Sequence, residues 1–112
     1  MRSLLLVGVL VWPAAVPASS LDRALLKSVM RRADPGFRRC YEEALRDQPA
    51  LEGKARLTVN VEPDGRVSEV TVEFPRWAPD FSRCLRDETL RLRFPEGPAA
   101  FRLVWPTDFK PG

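Results

Sequence analysis

The sequence predicts an α+β domain: a three-stranded antiparallel sheet with two helices on one face, in the order helix, strand, strand, helix, strand. Three observations carry this. Apolar residues recur at helical spacing before residue 47, the period changes to two after residue 54, and a Pro-Asp-Gly-Arg turn at 63–66 separates two such alternating runs. Elements in this order form one layer of helices on one layer of sheet.

The first helical region runs over about 21–46 as a kinked or two-part helix. Leu21, Ala24, Leu25 and Val29 share one stripe, and the pattern resumes after Asp34-Pro35 as Phe37, Cys40, Tyr41, Ala44 and Leu45. Asp34 suits a helix N-cap, with Pro35 at the first helical position. Gln48-Pro49 and Gly53 end the helix in a short loop.

Ala55, Leu57, Val59 and Val61 then alternate with Arg56, Thr58, Asn60 and Glu62, a strand with one buried face. Pro63 presets φ for a turn, Gly65 supplies positive φ, and Val67 to Phe74 follows as the second arm of a hairpin. Pro75 to Pro79 breaks that arm. Asp80 is the expected cap of a helix whose apolar stripe is Phe81, Cys84, Leu85 and Leu92. The last strand spans Phe101 to Trp105, and Pro106 to Gly112 reads as a frayed or loosely docked tail.

The N-terminal end has the three parts of a secretory leader: Arg2, an apolar run from Leu4 to Val16, and small residues. The run is shorter than the roughly 20 residues of a membrane-spanning helix, and Pro13 and Pro17 interrupt it. Val16-Pro17-Ala18 places cleavage after Ala18, so that 1–18 is a signal peptide and 19–112 a single domain, periplasmic or secreted and not stably inserted in the membrane. In an oxidising compartment the two cysteines allow one intramolecular pairing, Cys40 to Cys84, the alternative being two buried free thiols.

Charge excludes little. There are 18 Lys+Arg against 15 Asp+Glu, and Arg31-Arg32 and Arg38-Arg39 are followed by Glu42, Glu43 and Asp47, the pattern of a mixed solvated helix face and not of a nucleic-acid patch. The chain has no histidine, which removes the commonest general base and metal ligand. Two cysteines outside a CxxC are not a zinc site, and the glycines stand alone and form no phosphate loop. Glu42-Glu43, Asp47 and Asp87-Glu88 read as exposed helix carboxylates paired with arginines. The expectation is a protein without catalytic residues, metal or cofactor.

The run Phe37-Arg38-Arg39-Cys40-Tyr41-Glu42-Glu43-Ala44-Leu45, then Pro49 to Lys54, then Pro63-Asp64-Gly65-Arg66-Val67, Cys84 and Leu92-Arg93-Phe94-Pro95 resembles the AgmX/PglI C-terminal domain family. That family is similar to the C-terminal domain of TonB energy transducers, and the resemblance covers about 25–107. It implies a TonB-C-like fold, a helix-to-helix disulfide between Cys40 and Cys84, and envelope protein binding rather than catalysis. Larger members carry the domain after a membrane helix or long linker, whereas here it follows a cleavable leader, so energy transduction is not expected.

The expected binding mode is addition of a partner strand to an open sheet edge, with Phe101, Arg102, Leu103, Val104 and Trp105 as contact residues. Equally, Phe101, Leu103 and Trp105 could simply fill the core. Trp77, between two prolines, reads as a loop anchor ahead of a contact residue. The partner is an envelope protein. The competing readings are a structural subunit of an envelope complex and an exported enzyme inhibitor.

Overall fold

The structure is a computed structural model that describes residues 18–112; all of the expected leader, 1–18, except Ala18 lies outside the described residues. The element order is α1 (Ala18–Arg31), α2 (Asp34–Asp47), β1 (Gly53–Val61), β2 (Val67–Glu73), α3 (Pro79–Leu90) and β3 (Phe101–Phe109). The sheet is antiparallel with strand order β2-β1-β3, so the strand with the cleanest alternation lies in the middle. No helix among the described residues is long and apolar enough to cross a membrane.

The predicted two-part helix is two helices joined by a tight turn. The Arg32 and Ala33 N–H groups bond the carbonyls of Val29 and Met30, so the chain leaves α1 still in helical conformation. Ala33, not Asp34, is consequently the N-cap of α2: its backbone is αR, its carbonyl accepts from the Phe37 N–H at 2.8 Å, and no side chain caps the helix. Asp34 has no extended position from which to cap. Asp80 also falls inside its helix, two places past the N-cap. Ala78, the residue before proline, is held out of the helical region at φ −150° and ψ 71°, Pro79 opens α3, and Asp80 sits in the first turn, where its charge suits the helix dipole.

The core forms between the sheet and α2 and α3. Ala55, Leu57, Val59 and Val61 of β1 are all buried, as are Phe37, Cys40 and Tyr41 of α2 and Phe81, Leu85 and Thr89 of α3. Thr89 is tolerated there because its hydroxyl donates to the Leu85 carbonyl at 2.8 Å. The Cys40–Cys84 disulfide joins the two helices, with Cα atoms 5.8 Å apart. Leu92, assigned by spacing to the stripe of α3, is buried from beyond its C-terminus, because the helix ends at Leu90.

The 63–66 turn is a hairpin loop of the predicted kind. Gly65 N–H bonds the Glu62 carbonyl and Glu62 N–H bonds the Arg66 carbonyl, each at 2.8 Å, with Gly65 at φ 90°. A bulge follows at once: Asn60 pairs with Glu69 and Val61 with Val67, leaving Ser68 over, its hydroxyl donating to the Asn60 carbonyl.

The C-terminal segment corrects the expectation of a frayed tail. β3 continues four residues past Trp105, and Phe109 pairs with Gly53 and is buried. Its ring lies 5.2 Å from that of Tyr41 and 5.0 Å from that of Phe81. Pro106 does not end the strand, and burial of that aromatic ring holds its far end against the core.

Candidate functional site: the open edge of β3

β1 lies between β2 and β3, so among the described residues one long side of β3 has no strand beside it. Which backbone groups point to that side follows from ladder parity. In an antiparallel sheet a residue sends its N–H and C=O to the same neighbour, and the direction alternates along the strand. Glu62 bonds toward β2, so the even-numbered residues of β1 face β2 and the odd-numbered ones face β3. Through the register Leu57 to Trp105 and Thr58 to Val104, the odd residues of β3 bond β1, and Arg102, Val104, Pro106 and Asp108 turn their backbone groups outward. Pro106 therefore removes no ladder bond. Its missing N–H belongs to the open side, which explains a proline in the body of a strand paired along its whole length.

The open edge thus carries donor and acceptor at Arg102 and Val104, an acceptor alone at Pro106, and both again at Asp108. The side chains divide by face. Phe101, Leu103, Trp105 and Thr107 lie on the helix side and are only half-buried, because α2 and α3 cover the β1–β2 half of the sheet more completely. Leu103 and Trp105 are neither sealed in the core nor free in solvent. The strand is held at its two ends by aromatic contacts, Phe94 with Phe101 at 5.9 Å and Phe109 with Tyr41 and Phe81. On the other face Val104 is 46% exposed, beside Arg102, whose Nε donates to the Asn60 amide oxygen at 3.1 Å.

The five β3 residues singled out from the sequence are thus contiguous on one edge. Trp77 is not with them. It follows β2 on the opposite side of the sheet, near the C-terminus of α2, where its carbonyl accepts from Gln48 Nε2 at 3.1 Å. Its residue surface is 84% exposed, so its ring does not anchor the loop in the core. The anchor of that region is Phe74, whose ring meets Phe81 edge-on at 5.1 Å.

Sequence reasoning missed Phe94 and Phe109, which position β3 from either end. Continued alternation through Phe101, Leu103, Trp105, Thr107 and Phe109 was the available signal for the second of them, and Pro106 obscured it. Of the carboxylates expected to be exposed and paired with arginines, Glu88 is mostly covered, and it is held by Arg39 of α2 and by Arg91 just beyond α3, each at 3.2 Å. Among the described residues no three His, Cys, Asp or Glu side chains are grouped as a metal site requires.

Tyr41 is a titratable side chain displaced from its ordinary range. Its pKa is raised, chiefly by burial and secondarily by the negative charge of Glu52, and its hydroxyl donates to the Leu51 carbonyl. This fastens the middle of α2 to the loop leading into β1.

Comparison with protein-family models, with curated proteins and with solved structures gives no match. The likeness to AgmX/PglI C-terminal domains rests on the quoted motifs alone.

Proposed function

We propose that this chain is a non-catalytic protein-binding domain of the bacterial cell envelope, released to the periplasm by cleavage of its leader, that takes up a segment of an envelope protein as a fourth strand beside β3. The observation that carries the reading is the pairing of outward backbone groups at Arg102 and Val104 with a half-covered apolar row, Phe101, Leu103 and Trp105, on the same edge. An added strand would satisfy the first through main-chain bonds and cover the second with its own alternate side chains. Pro106 sets the far limit of the pairing. The motif resemblance supports the same assignment to a TonB-like envelope module.

The test is site-specific photocrosslinking in the native envelope. A photoreactive residue at position 104 should give one discrete adduct with an envelope protein, and the same residue at position 42 on α2 should not. Leu103→Lys should remove the adduct while thermal unfolding shows the domain still folded. Equal labelling from both positions, or no adduct from 104, would count against strand addition at β3.

A further inference from the structure

The other side of the sheet carries a second feature. By the same parity, Glu69, Thr71 and Glu73 bond β1, and Val70 and Val72 direct their N–H and C=O groups away from it. Outside that edge runs a groove whose far wall is α3, through Ser82, Arg83 and Arg86, and whose end is closed by Arg76 and Trp77. Among the described residues no acidic side chain lines it.

The three arginines are weakly committed. Arg83 meets Asp80 at 3.0 Å and Arg86 meets the adjacent Asp87 at 3.8 Å, both pairs solvent-exposed, and no carboxylate among the described residues is within ion-pair range of Arg76. Exposed pairs of this kind contribute little and exchange readily for another carboxylate. The strand's own acids are turned away: Glu73 reaches Arg56 and Glu69 accepts from Asn60, both across β1 on the opposite face of the sheet. Trp77, at 84% exposure, presents a large apolar surface at the mouth.

We infer that this groove is a second binding site, for an extended acidic peptide segment that lies between β2 and α3, bonded to the backbone of Val70 and Val72 with its carboxylates on Arg83, Arg86 and Arg76. The assignment to a peptide rather than a nucleic acid or a lipid surface comes from the backbone groups. Phosphodiesters accept hydrogen bonds and donate none, so they would leave the outward carbonyls of Val70 and Val72 unmatched, whereas a peptide strand meets donor with acceptor and acceptor with donor. Three guanidinium groups at a groove without acids select for carboxylate side chains on that strand. The site is independent of the edge of β3.

The probe is a fluorescein-labelled octapeptide of alternating Glu and Val, with an alternating Lys and Val octapeptide as its counterpart, titrated with the oxidised full-length mature protein and read by fluorescence anisotropy. The Glu-Val peptide should bind, weaken on going from low to about 0.5 M salt as the Debye length contracts, and weaken about tenfold or more with Arg83→Glu or Arg86→Glu, as expected for loss and reversal of a charge pair. Trp77→Ala should weaken it as well, and Val104→Asp on β3 should leave it unchanged. Equal binding of the Lys-Val peptide, no binding of either, or indifference to the two arginine changes would overturn the site. Loss of binding in Val104→Asp alone would move the peptide to β3. Competition by phosphatidylglycerol vesicles that bind with the same arginine dependence would give the patch to a membrane surface and likewise overturn it.

Discussion

Gly36 of α2 and Glu88 of α3 share one space: a Cβ built on Gly36 would lie 2.6 Å from the Glu88 Cδ. The missing side chain lets the Glu88 carboxylate lie against α2, where Arg39 reaches it. Alanine at 36 should gain about 1 kcal/mol of helix propensity and displace a flexible carboxylate from its two arginines. Gly36→Ala is therefore expected to be nearly neutral alone, and to stabilise by about 1 kcal/mol in an Glu88→Ala background. Urea unfolding of the four variants of this cycle measures it.

Gly65 offers no such relief. Its φ is 90°, and an added Cβ would meet the backbone of Phe94, with the carbonyl carbon at 2.9 Å. The Phe94 N–H also bonds the Gly65 carbonyl. Gly65→Ala should cost at least about 2 kcal/mol, the sum of left-handed strain and a displaced backbone, read as a lowered urea midpoint.

The disulfide spans 44 residues of sequence, and closing a loop of that size stabilises by about 4 kcal/mol in the chain-entropy model. For a domain this size each kcal/mol corresponds to roughly 4–8 °C in Tm. Reductant, or Cys40→Ser with Cys84→Ser, should therefore lower the melting temperature by about 15 °C or more. An unchanged melting temperature would mean that the bridge adds nothing to the packing of α2 on α3.

Tyr41 makes stability fall in alkali. Its folded-state pKa is raised above its ordinary value of 10.0, first by burial and then by Glu52. Its contribution is fully present below the unfolded pKa, and is lost as pH climbs from there through the folded pKa, because the unfolded chain gives up the phenolic proton first. The unfolding free energy should decline above about pH 10, and Tyr41→Phe should remove that part of the decline. At neutral pH the same change should cost about 1–3 kcal/mol by leaving the buried Leu51 carbonyl without its donor.

Pro106 guards the edge it interrupts. Pro106→Val restores an outward donor between Val104 and Asp108 and leaves the bonds to β1 intact. Sedimentation should show the wild-type domain less self-associated than the valine variant at equal concentration.

The sheet was readable in the sequence wherever one face is fully buried. Ala55, Leu57, Val59 and Val61 announce β1 because each stands opposite a helix, and a shift by one residue would expose all four. β3 was readable only as far as Trp105, because the meaning of Pro106 depends on ladder parity, which exists once β1 and its register are known. The caps expected at Asp34 and Asp80 fall one and two residues earlier, at Ala33 and Ala78, for a related reason: the conformations of those alanines are set by the turn after α1 and by Pro79, not by a capping side chain. The five candidate contact residues on β3 could be picked out by alternation. The separation of Trp77 from them could not, because the strand order that puts β1 between β2 and β3 is tertiary.

The bond between Cys40 and Cys84 also divides the chain into a ring and a tail. The ring encloses residues 41–83 and with them β1 and β2, while β3 hangs outside it, attached through α3. A pull applied at the C-terminus acts first on the Phe109–Gly53 end of the ladder and peels β3 from β1 one pair at a time, with the covalent ring still closed. The same topology permits β3 of one molecule to replace that of another, an exchange forbidden to β1 and β2 as long as the sulfurs stay joined.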